Sequence, residues 1–358
     1  MRMVLERRTA GHPLGRVLLG LVLLSMSGCG DPAAEQRLAA WQDAITQALD
    51  LPSPANASPP NIGAFPERDA RLFSIEDTRE GLLDVYALRR CDIVKLVARR
   101  NSQLGKVAPA SQHWLYELTL WRRLQACWNG PAAQALAAED RRRLGHLLER
   151  KTRQLPRLSW NALFDAEEWV GTFSRASSPL PPDGDLQSAL VALDYLRRMV
   201  VHQFDPRWTP TSADLEGHLK ALRQAPFTAE VLRGLLLATQ RLEALDGRLA
   251  QATCPPAGAA SLNEALASPA VQRGRAYLDR LTEQGRRWLT AVNALLDAYP
   301  ETRPAITRYR RRWLSLDNPA APWPRFHAAL TRHAARIDAL RKDCTTPSAS
   351  APSMTDGA

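Results

Sequence analysis

The stretch Ser111-Gln-His-Trp-Leu-Tyr-Glu-Leu-Thr-Leu-Trp-Arg-Arg-Leu-Gln-Ala-Cys-Trp128 decides the fold class. Tryptophans recur in it every seven residues, and two leucines share their face: Trp114, Trp121, Trp128, Leu118 and Leu124. Seven residues make about two turns of an α-helix, so the spacing predicts one amphipathic helix. Such a stripe can be a carbohydrate or partner surface, but tryptophans at helical spacing more often belong to a core. We predict a core role.

The same helical periodicity extends over nearly the whole chain. Besides residues 111–128, helices are predicted over about 31–50, 74–104, 131–155, 161–173, 185–204, 212–224, 228–253, 269–299, 303–314 and 323–343. We find no alternation typical of strands and no repeat of the length that solenoids use. The sequence therefore predicts an all-α protein, an irregular multi-helix bundle behind an N-terminal signal peptide.

Proline-rich segments divide the chain. Residues 51–71 are predicted to form an extended linker or a loop lying over the surface, because prolines there exclude a helix. Together with the first helix they make an N-terminal unit over 29–73. The main helical domain is expected over 74–344, with a possible subdivision near 176–184, and the polar tail 345–358 is predicted to be disordered.

The N-terminus has the three parts of a secretory signal over residues 1–28. Four arginines precede the apolar run 17–24, and the small residues Ser27 and Gly28 stand directly before Cys29. The run is far shorter than the roughly 20 residues of a membrane span. A cysteine at this place predicts a lipoprotein, with Cys29 as the acylated first residue of the mature chain and its link to the membrane. The alternative is an ordinary signal peptide with a chance cysteine.

The residue after Cys29 bears on localisation. It is Gly30, whereas aspartate is the usual signal for retention in the inner membrane. We therefore expect the mature protein at the periplasmic face of the outer membrane.

The formal charge of +10 comes almost entirely from arginine, since only five lysines occur. This charge either favours an anionic envelope partner or reflects a GC-rich genome. Export makes nucleic acid an implausible partner.

Four cysteines follow Cys29, and an even number in an oxidising compartment predicts two disulfides: Cys91, Cys127, Cys254 and Cys344. Cys91 and Cys127 stand on consecutive helices, but their distances from a turn near residue 106 differ by about 9 Å of helix. An asymmetric turn would be needed to join them. Cys254 and Cys344 each end a predicted helix. We favour the pairs Cys91–Cys127 and Cys254–Cys344, and the other pairings stay open.

A polar, cationic segment ends the predicted helix 74–104. Its candidate binding residues are Arg99, Arg100, Asn101, Ser102 and Lys106. Guanidinium groups suit carboxylate or phosphate, so an anionic ligand or partner is one interpretation. In the other, Asn101 and Ser102 cap the helix while Gly105 makes the turn in a left-handed conformation.

The run from Cys91 through Arg99-Arg-Asn-Ser-Gln-Leu-Gly-Lys106 to Ser111-Gln112 resembles the signature of an uncharacterised family of bacterial lipoproteins, known only as a domain of unknown function. The resemblance extends from the Cys29 region to the last helix, where His333 and Cys344 match the closing segment. The resemblance implies localisation in the bacterial envelope. It implies no activity, because none is established for the family.

The sequence shows none of the residue patterns that are typical of catalytic or metal sites. No His-Glu-x-x-His or Glu-x-x-His pairing is present, so neither a metal site nor a cofactor is predicted. The histidines are interpreted as surface or satisfied residues: His113, His146, His202, His218, His327 and His333. The acidic cluster Asp165, Glu167 and Glu168 is interpreted as a solvated helix face. The leading hypothesis is a non-enzymatic binding or scaffolding protein of the envelope; the alternative is an enzyme of cell-wall or envelope metabolism with an unrecognised site.

Overall fold

A computed structural model describes residues 33–55, 57–76, 81–254 and 259–345. In these ranges the chain forms helices joined by turns and contains no strand, which confirms the all-α prediction. The signal peptide 1–28, Cys29 and the tail from 346 onward lie outside the described residues.

The first half of the fold holds nine of the helices. They are α1 (Ala33–Ala48), α2 (Arg68–Arg71), α3 (Leu82–Ala87), α4 (Val94–Asn101), α5 (Gln103–Lys106), α6 (Ala110–Asn129), α7 (Pro131–Gln134), α8 (Ala138–Phe164) and α9 (Glu167–Gly171). A 3₁₀ turn, Arg89–Cys91, stands between α3 and α4.

The second half continues with α10 (Gln187–Val201), α11 (Ser212–Leu222), α12 (Phe227–Leu249), α13 (Ala259–Ala267), α14 (Pro269–Asp297), α15 (Pro304–Tyr309) and α16 (Pro322–Thr345). A π-helical turn, Arg310–Leu314, follows α15. Most of these helices lie within a few residues of their predicted positions. The exception is α13, which the sequence did not predict. In the first half, the short helix α2 lies within the segment 51–71, from which the prolines were expected to exclude a helix.

The tryptophan stripe lies between α6 and α8, which pack along each other. Trp114 and Trp121 are buried, and the Trp121 indole N–H donates a hydrogen bond of 2.8 Å to Thr152 Oγ1 on α8. Their predicted core role is confirmed. Trp128 is partly exposed at the end of α6, where the Arg141 guanidinium lies 5.7 Å from its ring centroid.

One contiguous core runs through the molecule, with buried apolar residues from Ala34 to Leu340. The proline-rich segment 51–71 contributes to it and does not only cover the surface: Ile62 is buried, and the Phe65 ring stacks on Phe173 at 4.0 Å between centroids. The segment 176–184 is also held in place, since the Leu180 amide donates to the Glu230 carbonyl at 2.9 Å. The domain boundaries stay predictions.

The predicted continuous helix over 74–104 was wrong. Its described part is broken into α3, the 3₁₀ turn, α4 and α5, with Asp92 in the left-handed region at φ 55°. Aspartate tolerates this conformation better than most residues, because its short side chain can hydrogen-bond locally. α3 begins at Leu82, after Gly81, whose amide donates to the Asp84 carboxylate at 3.1 Å. Short helices therefore replace one long helix in the chain before α6.

The predicted helix end before Pro156 was also wrong. α8 continues through Pro156 to Phe164, joining two helices that the sequence separated. A proline inside a helix costs about 3 kcal/mol, because it removes one hydrogen bond and crowds the preceding turn. The buried side chains of Leu155, Trp160 and Leu163 on both sides of Pro156 offset that cost through packing.

Candidate functional site

A cavity of about 990 Å³ lies between the segment 72–76, the helices α3 to α5 and the pair α6 and α8. Apolar side chains form part of its wall: Phe73, Val85, Leu88, Val97, Leu120, Leu147 and Leu158. Charged groups of both signs form another part: Arg68, Arg100, Lys106, Lys151, Arg303, Asp69, Glu76, Asp84, Glu117 and Asp165. The lining is therefore amphipathic, and its formal charges balance.

An ion pair lies in the cavity wall between α6 and α8. The Nζ atom of Lys151 is 2.9 Å from Oε2 of Glu117, and the two side chains are only 8% and 15% exposed. Lysine and glutamate are rarely so buried unless they are paired. The pair brings a positive and a negative charge to the same part of the cavity.

Two other buried polar atoms belong to residues of the cavity wall. Gln154 on α8 donates through Nε2 to the Glu76 carbonyl at 2.9 Å, while its Oε1 is buried without a hydrogen-bond partner among the described residues. The same holds for Nε2 of His113. A buried polar atom left unpaired costs about 1–3 kcal/mol, so such atoms favour a polar ligand.

Burial and charge set the ionisation of the aromatic groups in this wall. Burial lowers the pKa of His113, and the nearby Arg100 lowers it further, so the neutral imidazole is favoured. Burial raises the pKa of Tyr116, with the charge of Glu117 acting in the same direction. Near neutral pH both groups are therefore uncharged.

The predicted cationic segment borders this cavity. Arg100, Asn101 and Lys106 line it, whereas Arg99 and Ser102 do not. Ser102 caps α5 instead: its Oγ accepts from the Gly105 amide at 3.2 Å and donates to the Arg99 carbonyl at 2.7 Å. Arg100 donates to the Gly105 carbonyl at 2.9 Å. An anion-binding role for these residues stays a prediction.

The left-handed conformation predicted for Gly105 was wrong, because this residue lies inside α5 without a positive φ. Glycine is needed there for another reason. A Cβ atom would lie 2.6 Å from the Arg99 carbonyl oxygen and closer still to that of Arg100. The close approach of α5 to the end of α4 therefore depends on the missing side chain.

The structure pairs the cysteines as favoured. Cys91 is bonded to Cys127 with the Cα atoms 5.1 Å apart, and Cys254 to Cys344 with the Cα atoms 5.2 Å apart. The predicted offset between Cys91 and Cys127 does not arise, because the chain breaks at Asp92 and no continuous helix separates Cys91 from the turn. This disulfide fixes the 3₁₀ turn to the end of α6, beside the cavity.

The remaining candidates take other positions. Asp165 binds Arg68 in a two-point contact of 2.7 Å each, and Glu167 lies 3.8 Å from Arg223, so the acidic cluster is divided between two arginines. His333 is buried and contacts Asp246 at 2.7 Å. Within the described ranges, no three His, Cys, Asp or Glu side chains lie close enough together to hold a metal ion.

The sequence did not predict four polar residues of the cavity wall: Tyr116, Glu117, Lys151 and Gln154. One signal was present, since His113 and Glu117 stand four residues apart and so share a helix face. Nothing in the local sequence distinguishes Lys151 from the other four lysines. Its pairing with Glu117 depends on the register between α6 and α8, which periodicity does not give.

A family model described as a protein of unknown function (DUF3080) matches residues 38–346. The chain belongs to this family. The DUF3080 match covers every described residue of the cavity wall and all four disulfide-bonded cysteines. No curated protein and no solved structure matches the chain. Among the described residues of this DUF3080 protein, no helix is both long and apolar enough to cross a membrane.

Proposed function

We propose that this DUF3080 protein is a lipid-anchored binding protein of the bacterial envelope, which holds an amphipathic ligand in the cavity around Lys151 and Glu117. Its anchor is the acylated Cys29, and its place is the periplasmic face of the outer membrane. The role is binding or scaffolding and not catalysis.

The anchor rests on the sequence of residues 1–29, with a basic region, a short apolar run and small residues before Cys29. The Cys91–Cys127 and Cys254–Cys344 disulfides support export, because such bonds persist in oxidising compartments. Acyl chains give stable anchoring, since each buried CH₂ group adds about 0.8 kcal/mol.

The cavity is the observation that carries the binding role. Ligand sites are concave, mostly apolar and of about 300–1,000 Å³, with a few convergent polar groups. The cavity has this volume, apolar side chains along part of its wall and the buried pair Lys151–Glu117. A ligand with apolar parts and hydrogen-bonding groups would match both parts of the wall.

Binding is favoured over catalysis because of the state of the charged groups. Lys151 and Glu117 engage each other at 2.9 Å, so the carboxylate that could act as a general base is already held by an ammonium. Asp165, the other carboxylate singled out from the sequence, is held by Arg68. In a catalytic pair of carboxylates, the local environments instead give the two groups different pKa values, so that one acts as the acid and the other as the base.

An enzyme is the second candidate, and one observation favours it. His113, Tyr116 and Glu117 bring an imidazole, a phenol and a carboxylate to the same wall on consecutive turns of α6. These are groups that general acid–base catalysis uses. The two candidates differ in what the purified protein carries, because an enzyme converts its ligand and a binding protein does not.

Native mass spectrometry of the lipoprotein, extracted from its own membrane in mild detergent, tests the proposal. We expect a bound molecule of defined mass in the wild type and the same mass, in smaller amount, in Glu117→Gln. An enzyme would instead accumulate a different, unconverted mass in Glu117→Gln. A wild type without any bound molecule would contradict the binding role.

The anchor is tested separately with Cys29→Ala and a labelled fatty acid. We expect the wild type to incorporate label and to be processed, and the variant to do neither, so that precursor accumulates. Ser27→Ala serves as the control, since a small residue is kept before the cysteine. Processing and labelling of Cys29→Ala as in the wild type would rule out the lipoprotein.

A further inference from the structure

Exposed apolar side chains concentrate in one part of the chain. Among the described residues, eight large apolar residues are exposed, and the four within residues 82–107, here called the rim, include the three most exposed. They are Leu83, Tyr86, Leu104 and Val107, with relative accessibilities of 83%, 58%, 82% and 79%. Single exposed apolar residues are normal, but a cluster marks an interaction site.

The rim borders the cavity from two sides. Val85 and Leu88 of its first part line the cavity, and Leu83 and Tyr86 beside them extend into solvent. In its last part Lys106 lines the cavity, and the adjacent Val107 is exposed. The exposed apolar groups therefore come from two segments, each of which also contributes residues to the cavity wall.

The rim is also strongly cationic. It holds six basic residues, none of which forms an ion pair with a described residue: Arg89, Arg90, Lys95, Arg99, Arg100 and Lys106. Its two described acids are neutralised from outside, as Asp84 lies 3.0 Å from Arg143 and Asp92 lies 3.0 Å from Arg123. The positive charge of the rim thus has no internal counterpart.

We propose that the rim docks on the surface of a bilayer that contains anionic phospholipid. Leu83, Leu104 and Val107 would enter the boundary between headgroups and acyl chains, and the cations would contact the phosphates. Surfaces that combine exposed apolar groups with lysine and arginine bind in this way, more strongly to anionic lipid.

This proposal is argued from the rim and is independent of what the cavity holds, but its test rests on the acylated Cys29 of the proposed function. It adds a second contact with lipid to the acyl anchor, and it would place the cavity edge at the membrane surface. An amphipathic ligand could then pass between bilayer and cavity without crossing water. The ligand experiment and the docking experiment can therefore fail separately.

The test uses hydrogen–deuterium exchange of the complete lipidated chain, held by its own anchor on vesicles. One set consists of phosphatidylcholine, and the other of equal parts phosphatidylcholine and phosphatidylglycerol. We expect backbone amides of the rim to exchange several-fold more slowly on the anionic vesicles, and this difference to shrink at high salt. Because the anchor holds every variant on the vesicles, the exchange reports on the rim itself.

Two variants separate the contributions to docking. Leu104→Ser with Val107→Ser should abolish the protection, whereas Val191→Ser with Val201→Ser, at exposed positions of α10, should keep it. Lys95→Glu with Arg99→Glu should also abolish it, whereas Arg273→Glu with Arg336→Glu should not. Equal exchange on both kinds of vesicle would overturn the proposal, and so would protection that the rim variants retain.

Discussion

The ammonium of Lys151 lies 2.9 Å from the carboxylate of Glu117, and this contact joins α8 to α6 inside the wall of the cavity. Removing two charges from water is expensive, and only close pairing offsets the cost. The pair therefore fixes the relative position of the two helices, and it also lies in the wall of the cavity for which a ligand is proposed.

Replacing one partner should be costly. We expect Lys151→Met to lower the free energy of unfolding by about 3–5 kcal/mol, because Glu117 is left buried without its counterion. The double variant Lys151→Met with Glu117→Gln should recover much of the loss, since no charge is then buried. Urea denaturation followed by circular dichroism measures both. Equal stability of Lys151→Met and the wild type would mean that the pair is not buried.

The disulfide between Cys91 and Cys127 should stabilise the part of the fold that borders the cavity. Losing a native disulfide costs about 2–5 kcal/mol, so Cys91→Ser should melt at a clearly lower temperature. Thiol titration of the denatured, unreduced mature wild type should find no free thiol. Cys91→Ser should show one free thiol, from Cys127. Cys254→Ser, which breaks the other disulfide, is the matched comparison. Four free thiols in the exported wild type would contradict the pairing.

Gly105 should tolerate no side chain. A Cβ at this position would lie 2.6 Å from the Arg99 carbonyl oxygen, so Gly105→Ala should destabilise the protein by roughly 1 kcal/mol or more. Gly247→Ala on α12 is the matched control, because a Cβ there meets nothing within 4 Å. Alanine should be neutral or favourable at that helical position. Similar melting temperatures for the two variants would show that α5 and α4 are not in close approach.

Two histidines should make the fold less stable as the pH falls. Burial lowers the pKa of His113 and of His218 in the folded chain. Below the unfolded value of about 6.5 the unfolded chain therefore binds more protons, and stability is lost as the pH falls from there toward the folded pKa values. His113→Gln should flatten this pH dependence in part, and His113→Gln with His218→Gln further. Unfolding free energies of the double variant that fall with pH as steeply as those of the wild type would contradict this.

The fold was predictable where periodicity alone sets it. α14 is a long amphipathic helix that begins with Ser268 as its cap and Pro269 in its first turn, and both signals are local. The break at Asp92 was not predictable, because it is held by the Cys91–Cys127 bond and by Arg123, which the chain brings there only on folding. The continuation of α8 through Pro156 likewise depends on tertiary packing.

The candidate site was predictable in part. Charge and composition identified the segment 99–106 as a candidate binding segment. Three of its residues line the cavity: Arg100, Asn101 and Lys106. For Ser102 both capping and anion binding were left open, and in the structure its hydroxyl caps the start of α5. The pair Lys151–Glu117 was missed, because its members lie on separate helices and nothing local marks their contact. Paired charges across helices are visible only once the helices are packed.

The most direct test of the central claim, that a ligand occupies this cavity, is to fill it. Leu158→Trp adds bulk to a half-buried leucine of the cavity wall, and Leu190→Trp adds the same bulk to a half-buried leucine of α10 outside it. Native mass spectrometry of the membrane-extracted proteins measures the ligand that each retains. The account predicts that Leu190→Trp retains the molecule found in the wild type and that Leu158→Trp loses it while melting like Leu190→Trp. Retention of the same molecule in the same amount by both variants would contradict it.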